Sequence, residues 1–347
     1  MEKSLERYDK KEYYGYISRG KVREAVAYLQ RFPSKRNLVK KYMRVFRDGK
    51  PMTRSTNAVI HKIDVVFQAY YRQIFWQGES SEDAWKELCL RFADMFEIPV
   101  QALDTAQQLD EFWYGVIEKR LEQAVVGEGY QYLGNDTQGY LGPYIWKKTV
   151  PTTYRVKLPH AVTRYTVNMM TGFVSRSWMA FLSFDKIGTG GWAAKDGTLC
   201  CIKKLYTGGM LNPSFRVRFL KHEAQHVEDM RQFPGISSMH LEYRAKLVEL
   251  IYAANFKAFL YMLAEACADN PDNTHSYAAY LIVKNLSEKV FGCAYAGDAA
   301  QWKGKLPRIR KEALALLDEY PYGTCGALLH AHKKCSRDDR GSICWLK

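Results

Sequence analysis

The five residues His222-Glu223-Ala224-Gln225-His226 constrain this chain more than any other stretch. Asn212-Pro213 reads as a helix start, with asparagine as N-cap and proline at the first helical position, and Pro234-Gly235 reads as its stop. Leu220, Ala224, Val227 and Met230 recur between those ends at helical spacing and form an apolar face. The helix expected over 213–233 therefore carries both histidines in its middle, four residues and about one turn apart on one side. Two imidazoles so placed can grip one metal ion. Glu223 lies about 100° further round the helix, near a metal-bound water but outside the ligand set.

A catalytic site of this kind needs a third protein ligand and one position left for water. One route is a histidine six residues after the second, following a glycine turn. Gln232 occupies that position here and Asp229 replaces the glycine. The other route is a glutamate from the next helix. Glu242 opens a second long helix expected to run to about Ala268, before Asn270-Pro271. An antiparallel return through Pro234-Gly235 brings its first turns back beside the histidines, which makes Glu242 the expected ligand. Glu249, two turns along the same face, is the alternative. His240 and Tyr243 flank the start of that helix and are candidate donors to a developing oxyanion.

Through these residues the chain resembles the zincin metallopeptidases, in particular the gluzincin type, in which two motif histidines and a downstream helix glutamate hold zinc. The resemblance spans roughly residues 178–250, and its specific part is His222 to His226 with Glu242. It implies one zinc ion per chain on His222, His226 and Glu242, with Glu223 as general base acting on a peptide or protein substrate. It also implies a sheet whose edge strand borders the active-site cleft. The spacing to Glu242 is shorter than in thermolysin-like enzymes and closer to compact zincin domains of bacterial regulatory proteases. Thermolysin-like relatives carry an aspartate four residues after the ligand glutamate, where it supports a histidine. Lys246 stands there in this chain and cannot accept a hydrogen bond from imidazole. Asp229 is the alternative support, or else a surface acid of the helix.

The expected class is α+β. A basic helical N-terminal region is expected over 1–126, with helices at Val22 to Leu29, Asn57 to Trp76, Ser81 to Phe96 and Thr105 to Val126. Ile74, Phe75, Trp76 and Trp85 are expected to pack between them. A zincin-like domain is expected over 127–347, with a small mixed or antiparallel sheet in 127–206 and a helical region over 239–320 that includes His275 to Phe291 and Leu306 to Leu317. Strand candidates are Tyr154 to Leu158, Thr163 to Met169, Met179 to Phe184 and Thr198 to Leu205. Either Thr198 to Lys203 or Met179 to Phe184 could be the edge strand, and Gly188 to Trp192 reads as a tight turn or edge kink.

With 347 residues, of which 47% are hydrophobic, the chain can bury a large core. It has no run of about 18 apolar residues and no apolar signal core near its start, so no membrane association is expected, and a cytoplasmic location, or else a mature form whose signal was removed. Eight cysteines in a chain of this length do not make a disulfide scaffold, and Cys89 and Cys267 fall in helical patterns as expected buried thiols. Cys325, His330, His332, Cys335 and Cys344, in the tail at 321–347, match no compact zinc spacing. Free thiols, or a Cys325–Cys335 or Cys335–Cys344 bridge, are expected there rather than a second metal. Of the net charge of +14, residues 1–54 contribute +10, with 16 Lys/Arg against 6 Asp/Glu and tyrosines interleaved. That region makes nucleic acid or an acidic protein the alternative partner, in a non-catalytic zincin-like module.

Overall fold

Side-chain caps decide where several helices of the N-terminal region begin. Asp9 accepts from the Lys11 amide, Asn57 from Ile60 and Ser80 from Asp83, and Thr105 forms a capping box with Gln108. The computed structural model describes residues 7–319 apart from positions 101, 135, 138, 195, 270 and 272. After the caps run the helices Lys10–Ser18, Val22–Gln30, Arg36–Tyr42, Ala58–Arg72, Ser81–Met95 and Ala106–Phe112. π-helical turns at Met43–Arg47, Gln73–Gln77 and Trp113–Ile117 follow three of them, the last leading into Glu118–Gly127. Such a turn shifts the side chains that follow it round the axis.

Aromatic packing fills this region. The Phe67 ring lies 5.2 Å from Phe92 and 6.2 Å from Trp113. Phe75 is buried, with Ile74, Trp76 and Trp85 packed against the same core. The tyrosines of the basic segment serve that core as well. Tyr13, Tyr28 and Tyr42 are buried, and Tyr42 donates to the Leu182 carbonyl at 2.7 Å and lies 2.6 Å from the Tyr13 hydroxyl.

The chain divides into two compact units, one running to Lys148 and taking up Thr171–Gly188, the other formed by Thr149–Met170 and the chain from Thr189. The change of unit does not coincide with the change from helix to strand after Val126. Strands Gln131–Leu133, Tyr144–Trp146 and Ser175–Arg176 form an antiparallel sheet within the helical unit, because Ile145, Trp178 and Phe181 bury their apolar surface in the same core as Phe67 and Phe92. The expected strand Met179 to Phe184 is instead part of the helix Ser177–Leu182. All six residues of that helix are buried, so its apolar run carries no periodicity that separates a buried helix from a strand.

The second unit holds a four-stranded mixed sheet in the order Lys148–Lys157, Val162–Thr171, Leu199–Ile202, Gly191–Ala193. The middle pair is parallel, with Met169 opposite Cys201, and the last pair antiparallel, with Trp192 opposite Cys200. The edges are therefore Lys148–Lys157 and Gly191–Ala193, and neither expected edge candidate takes that place. The strand expected at Thr198 to Leu205 ends at Ile202 in a 3-10 turn. The glycine-rich stretch read as a tight turn or edge kink leads into the edge strand, where Gly191 has no side chain. A Cβ there would collide with the Cys200 carbonyl and the Phe219 ring.

Around the sheet lie the helices His222–Gln232, Ser238–Ile251, Lys257–Glu265, Thr274–Phe291 and Leu306–Glu319. The helix expected to continue to Ala268 stops at Ile251, and Asn255 accepts from the Lys257 amide as a new helix begins. Cys89 is buried and Cys267 half-buried, both as free thiols, while the five tail cysteines and histidines lie outside the described residues. Among the described residues no helix is long and apolar enough to cross a membrane.

Burial in the first unit pushes the Glu118 carboxyl up to about 7, aided by Glu122, and its Oε1 has no hydrogen-bond partner among the described residues. The folded pKa lies above the unfolded one, so this group costs stability as pH rises from the ordinary glutamate range through 7. Glu118→Gln is expected to raise thermal stability at pH 8 by on the order of 1–2 kcal/mol, allowing for partial exposure to water. The gain should vanish near pH 4.5, and equal gains at both pH values in scanning calorimetry would refute the assignment.

Candidate metal centre

The motif helix begins as the sequence requires. Asn212 accepts from the Ser214 amide at 2.8 Å and Pro213 takes the first turn. A π turn at Arg216–Lys221 then leads into His222–Gln232. Phe215, Phe219 and Leu220 bury in the core ahead of that helix and Ala224 within it, while Val227 and Met230 are partly buried. The polar side of the helix is buried too: Glu223, Gln225, Glu228 and Asp229 are all shielded from water.

Ser237 caps the returning helix. Three contacts set its direction: Asp229 with Arg244, His226 with Glu242 and His222 with Glu249. His222, at the start of the motif helix, reaches Glu249 near the end of the returning one, whereas Asp229, near the end of the motif helix, reaches Arg244 in its first half, so the pair is antiparallel. The return brings His222, His226 and Glu242 into one buried group whose ligand atoms lie within 4.8 Å of one another. Glu242 Oε2 stands 3.6 Å from His222 Nε2, and Oε1 stands 3.7 Å from His226 Nε2. Ligand atoms around a tetrahedral zinc at ordinary bond lengths lie about 3.3 Å apart, so the set would have to draw together to close on an ion. His226 and Glu242 are 0% exposed. His226 Nε2 and Glu242 Oε1 have no hydrogen-bond partner among the described residues, as expected of atoms that could complete their bonding on a cation, while the nearest polar atom to Glu242 Oε2 outside the ligand pair is His275 Nδ1 at 2.9 Å.

Glu249 is not in that group. Its Oε1 lies 2.7 Å from His222 Nδ1, placed to accept the N–H there and so to leave Nε2, which faces Glu242, as the nitrogen able to bind an ion. This is the support that Lys246 cannot give. Lys246 instead pairs with Glu265 at 2.8 Å. Asp229 does not support a histidine either. It accepts from Arg244 and Gln225, both at 2.9 Å, and ties the two helices together. The Tyr243 hydroxyl accepts from Asn285 at 2.8 Å in the core, and His240 Nδ1 lies 2.6 Å from the capping Ser237 hydroxyl. Their engagement there gives no support to an oxyanion role.

The charges are strongly coupled. Burial opposes ionisation of Glu242, yet His275 and His222 outweigh it and hold the carboxyl well below its usual range. Burial also acts to lower His222, but Glu242 and Glu249 raise it to about 10. Burial, reinforced by His222, drives His226 well below the ordinary histidine range. Glu223, 5% exposed, is pushed up to about 7 by burial, and the Ala193 amide of the edge strand donates to its carboxyl. Glu223 Oε2 has no partner among the described residues.

His275, which no motif spacing singles out, also belongs to the site. It lies in the first turn of Thr274–Phe291, with Nδ1 2.9 Å from Glu242 Oε2 and its ring parallel to His222 at 6.2 Å. Only the fold brings that helix to the other two. Neither a protein-family model, nor a curated protein, nor a solved structure matches the chain.

Glu242→Ala is expected to abolish divalent-metal binding, as are His222→Ala and His226→Ala, whereas Glu249→Gln should weaken it by about 10–100-fold by freeing the His222 ring. Competitive chelator titration with zinc(II) measures the order. Greater loss in Glu249→Gln than in Glu242→Ala would move the ligand to Glu249.

Proposed function

We propose that the protein is a zinc-dependent hydrolase, a metallopeptidase, acting at the His222, His226 and Glu242 centre. The observation that supports this most directly is the placement of Glu223. It is buried one residue from a ligand, yet it stands outside the ligand set with one oxygen unpartnered. Metal binding alone has no use for such a carboxyl, whereas hydrolysis needs a base. Two imidazoles and a carboxylate suit zinc, which when bound supplies a Lewis acid and a water of lowered pKa.

The chain's own residues divide the remaining work. Glu249 holds the His222 ring in the tautomer whose Nε2 can coordinate. The Ala193 amide anchors Glu223. Glu223 Oε2 takes a proton from the attacking water and returns it to the leaving amine. A peptide is the substrate class because the resemblance of His222 to His226 with Glu242 is to peptidases.

Glu223→Gln is expected to keep zinc near one per chain while turnover on a peptide library falls roughly 10²–10⁴-fold. Wild-type protein with stoichiometric zinc and no hydrolysis of any peptide would remove the catalytic reading.

One observation favours a second reading, a module that binds without cleaving. Arg36, Lys40, Lys41, Arg44 and Arg47 are all exposed along 36–47, and of these only Arg47 is ion-paired among the described residues, to Asp48. Against nucleic acid stands the burial of Tyr13, Tyr28 and Tyr42, which removes them as stacking platforms. Electrophoretic shifts at two salt concentrations are expected to show weak binding of duplex and single strands at physiological ionic strength. Tight binding there, lost when Arg36, Lys40 and Arg44 are neutralised, would promote the second reading.

A further inference from the structure

We infer that His275 is a positioning residue of the metal centre, restraining the Glu242 carboxylate while leaving the centre with three protein ligands. The inference rests on the proposed metal site and adds a third helix to it. Asn273 accepts from the Ser276 amide at 3.2 Å and so fixes the start of Thr274–Phe291, which sets His275 in its first turn. The His275 side chain is 12% exposed, and Nδ1 stands 2.9 Å from Glu242 Oε2. That contact is shorter than either contact of Glu242 with the ligand histidines, at 3.6 and 3.7 Å. An N–H from His275 is thus the nearest donor to a carboxylate that otherwise faces only the nitrogens sharing its metal.

A glutamate side chain turns about three bonds, and a monodentate ligand must be held against that freedom. The restraint on Glu242 matches what Glu249 does for His222: a non-ligand group on a neighbouring turn or helix fixes the ring or carboxylate that binds. His275 itself stands outside the set of mutually close ligand atoms. As a fourth ligand it would fill the position a hydrolase keeps for water, so the distinction between holding Glu242 and binding the ion matters for activity.

Asparagine separates the two roles, because its amide nitrogen can take the place of Nδ1–H as a donor but binds zinc poorly. Zinc(II) affinity is measured by competitive chelator titration on the full chain for wild type, His275→Ala and His275→Asn, with far-ultraviolet circular dichroism confirming that each folds. His275→Ala is expected to bind about 10–100-fold more weakly and His275→Asn to recover to within about threefold of wild type. X-ray absorption of the zinc-loaded wild type should count two imidazoles. Unchanged affinity in His275→Ala overturns the inference, as does a third imidazole together with no recovery in His275→Asn. Wild-type protein that takes up no zinc overturns the metal centre itself, and this inference with it, a result distinguishable from the other two.

Discussion

Glu242 carries a carboxylate with no exposure to water, set against the Nε2 atoms of two buried histidines. An isolated buried charge costs several kcal/mol, and geometry alone does not offset that cost without donors on the remaining lone pairs. The surroundings answer in two ways. His222 and His275 hold the carboxyl ionised, and Lys246 lies near enough to add to the field. The nitrogen atoms that face it can also serve as lone-pair donors, so the group as a whole could hold a cation. Glu223 and Glu249 add further acidic groups at the same place, which a dication would offset.

The antiparallel helix pair makes this arrangement possible, and it is braced away from the ligands. Arg244 reaches from the returning helix to Asp229, and its guanidinium also donates to the Leu317 carbonyl at 3.2 Å. Glu228 accepts from the Tyr165 hydroxyl of the sheet, joining the motif helix to a strand. Polar residues that read as a solvated helix side are thus internal braces. The burial of Glu223 itself raises its pKa, since water is kept from that part of the helix.

The first unit rests on different physics. Its core is made of aromatic rings and capped helix starts, and the hydroxyls of Tyr13 and Tyr42 are satisfied within it. The basic run 36–47 is exposed outside that core, whereas the Arg54–Asp64 ion pair is largely buried.

Local rules carried far along the chain. Caps at Asn57, Ser80, Thr105 and Asn212, the spacing of His222 and His226, and the Pro234-Gly235 stop are written in neighbouring residues, because a cap or a helical face involves only residues within a turn or so. Glu242 was legible for the same reason, since a tight turn leaves a following helix little choice but to return. Other features were not legible. The buried run at Ser177–Leu182 shows no period to distinguish helix from strand, and Gly191 becomes an edge strand because Phe219, far along the chain, packs on its backbone. The assignment of Glu249 to His222, of Asp229 to Arg244 and of His275 to Glu242 joins helices whose meeting no local spacing encodes. The sequence by itself determined the pair of histidines, the carboxyl group beside them and the returning glutamate. Tertiary packing alone decided which carboxylates and which third histidine close around them, because those contacts depend on how separate helices are docked on a shared core.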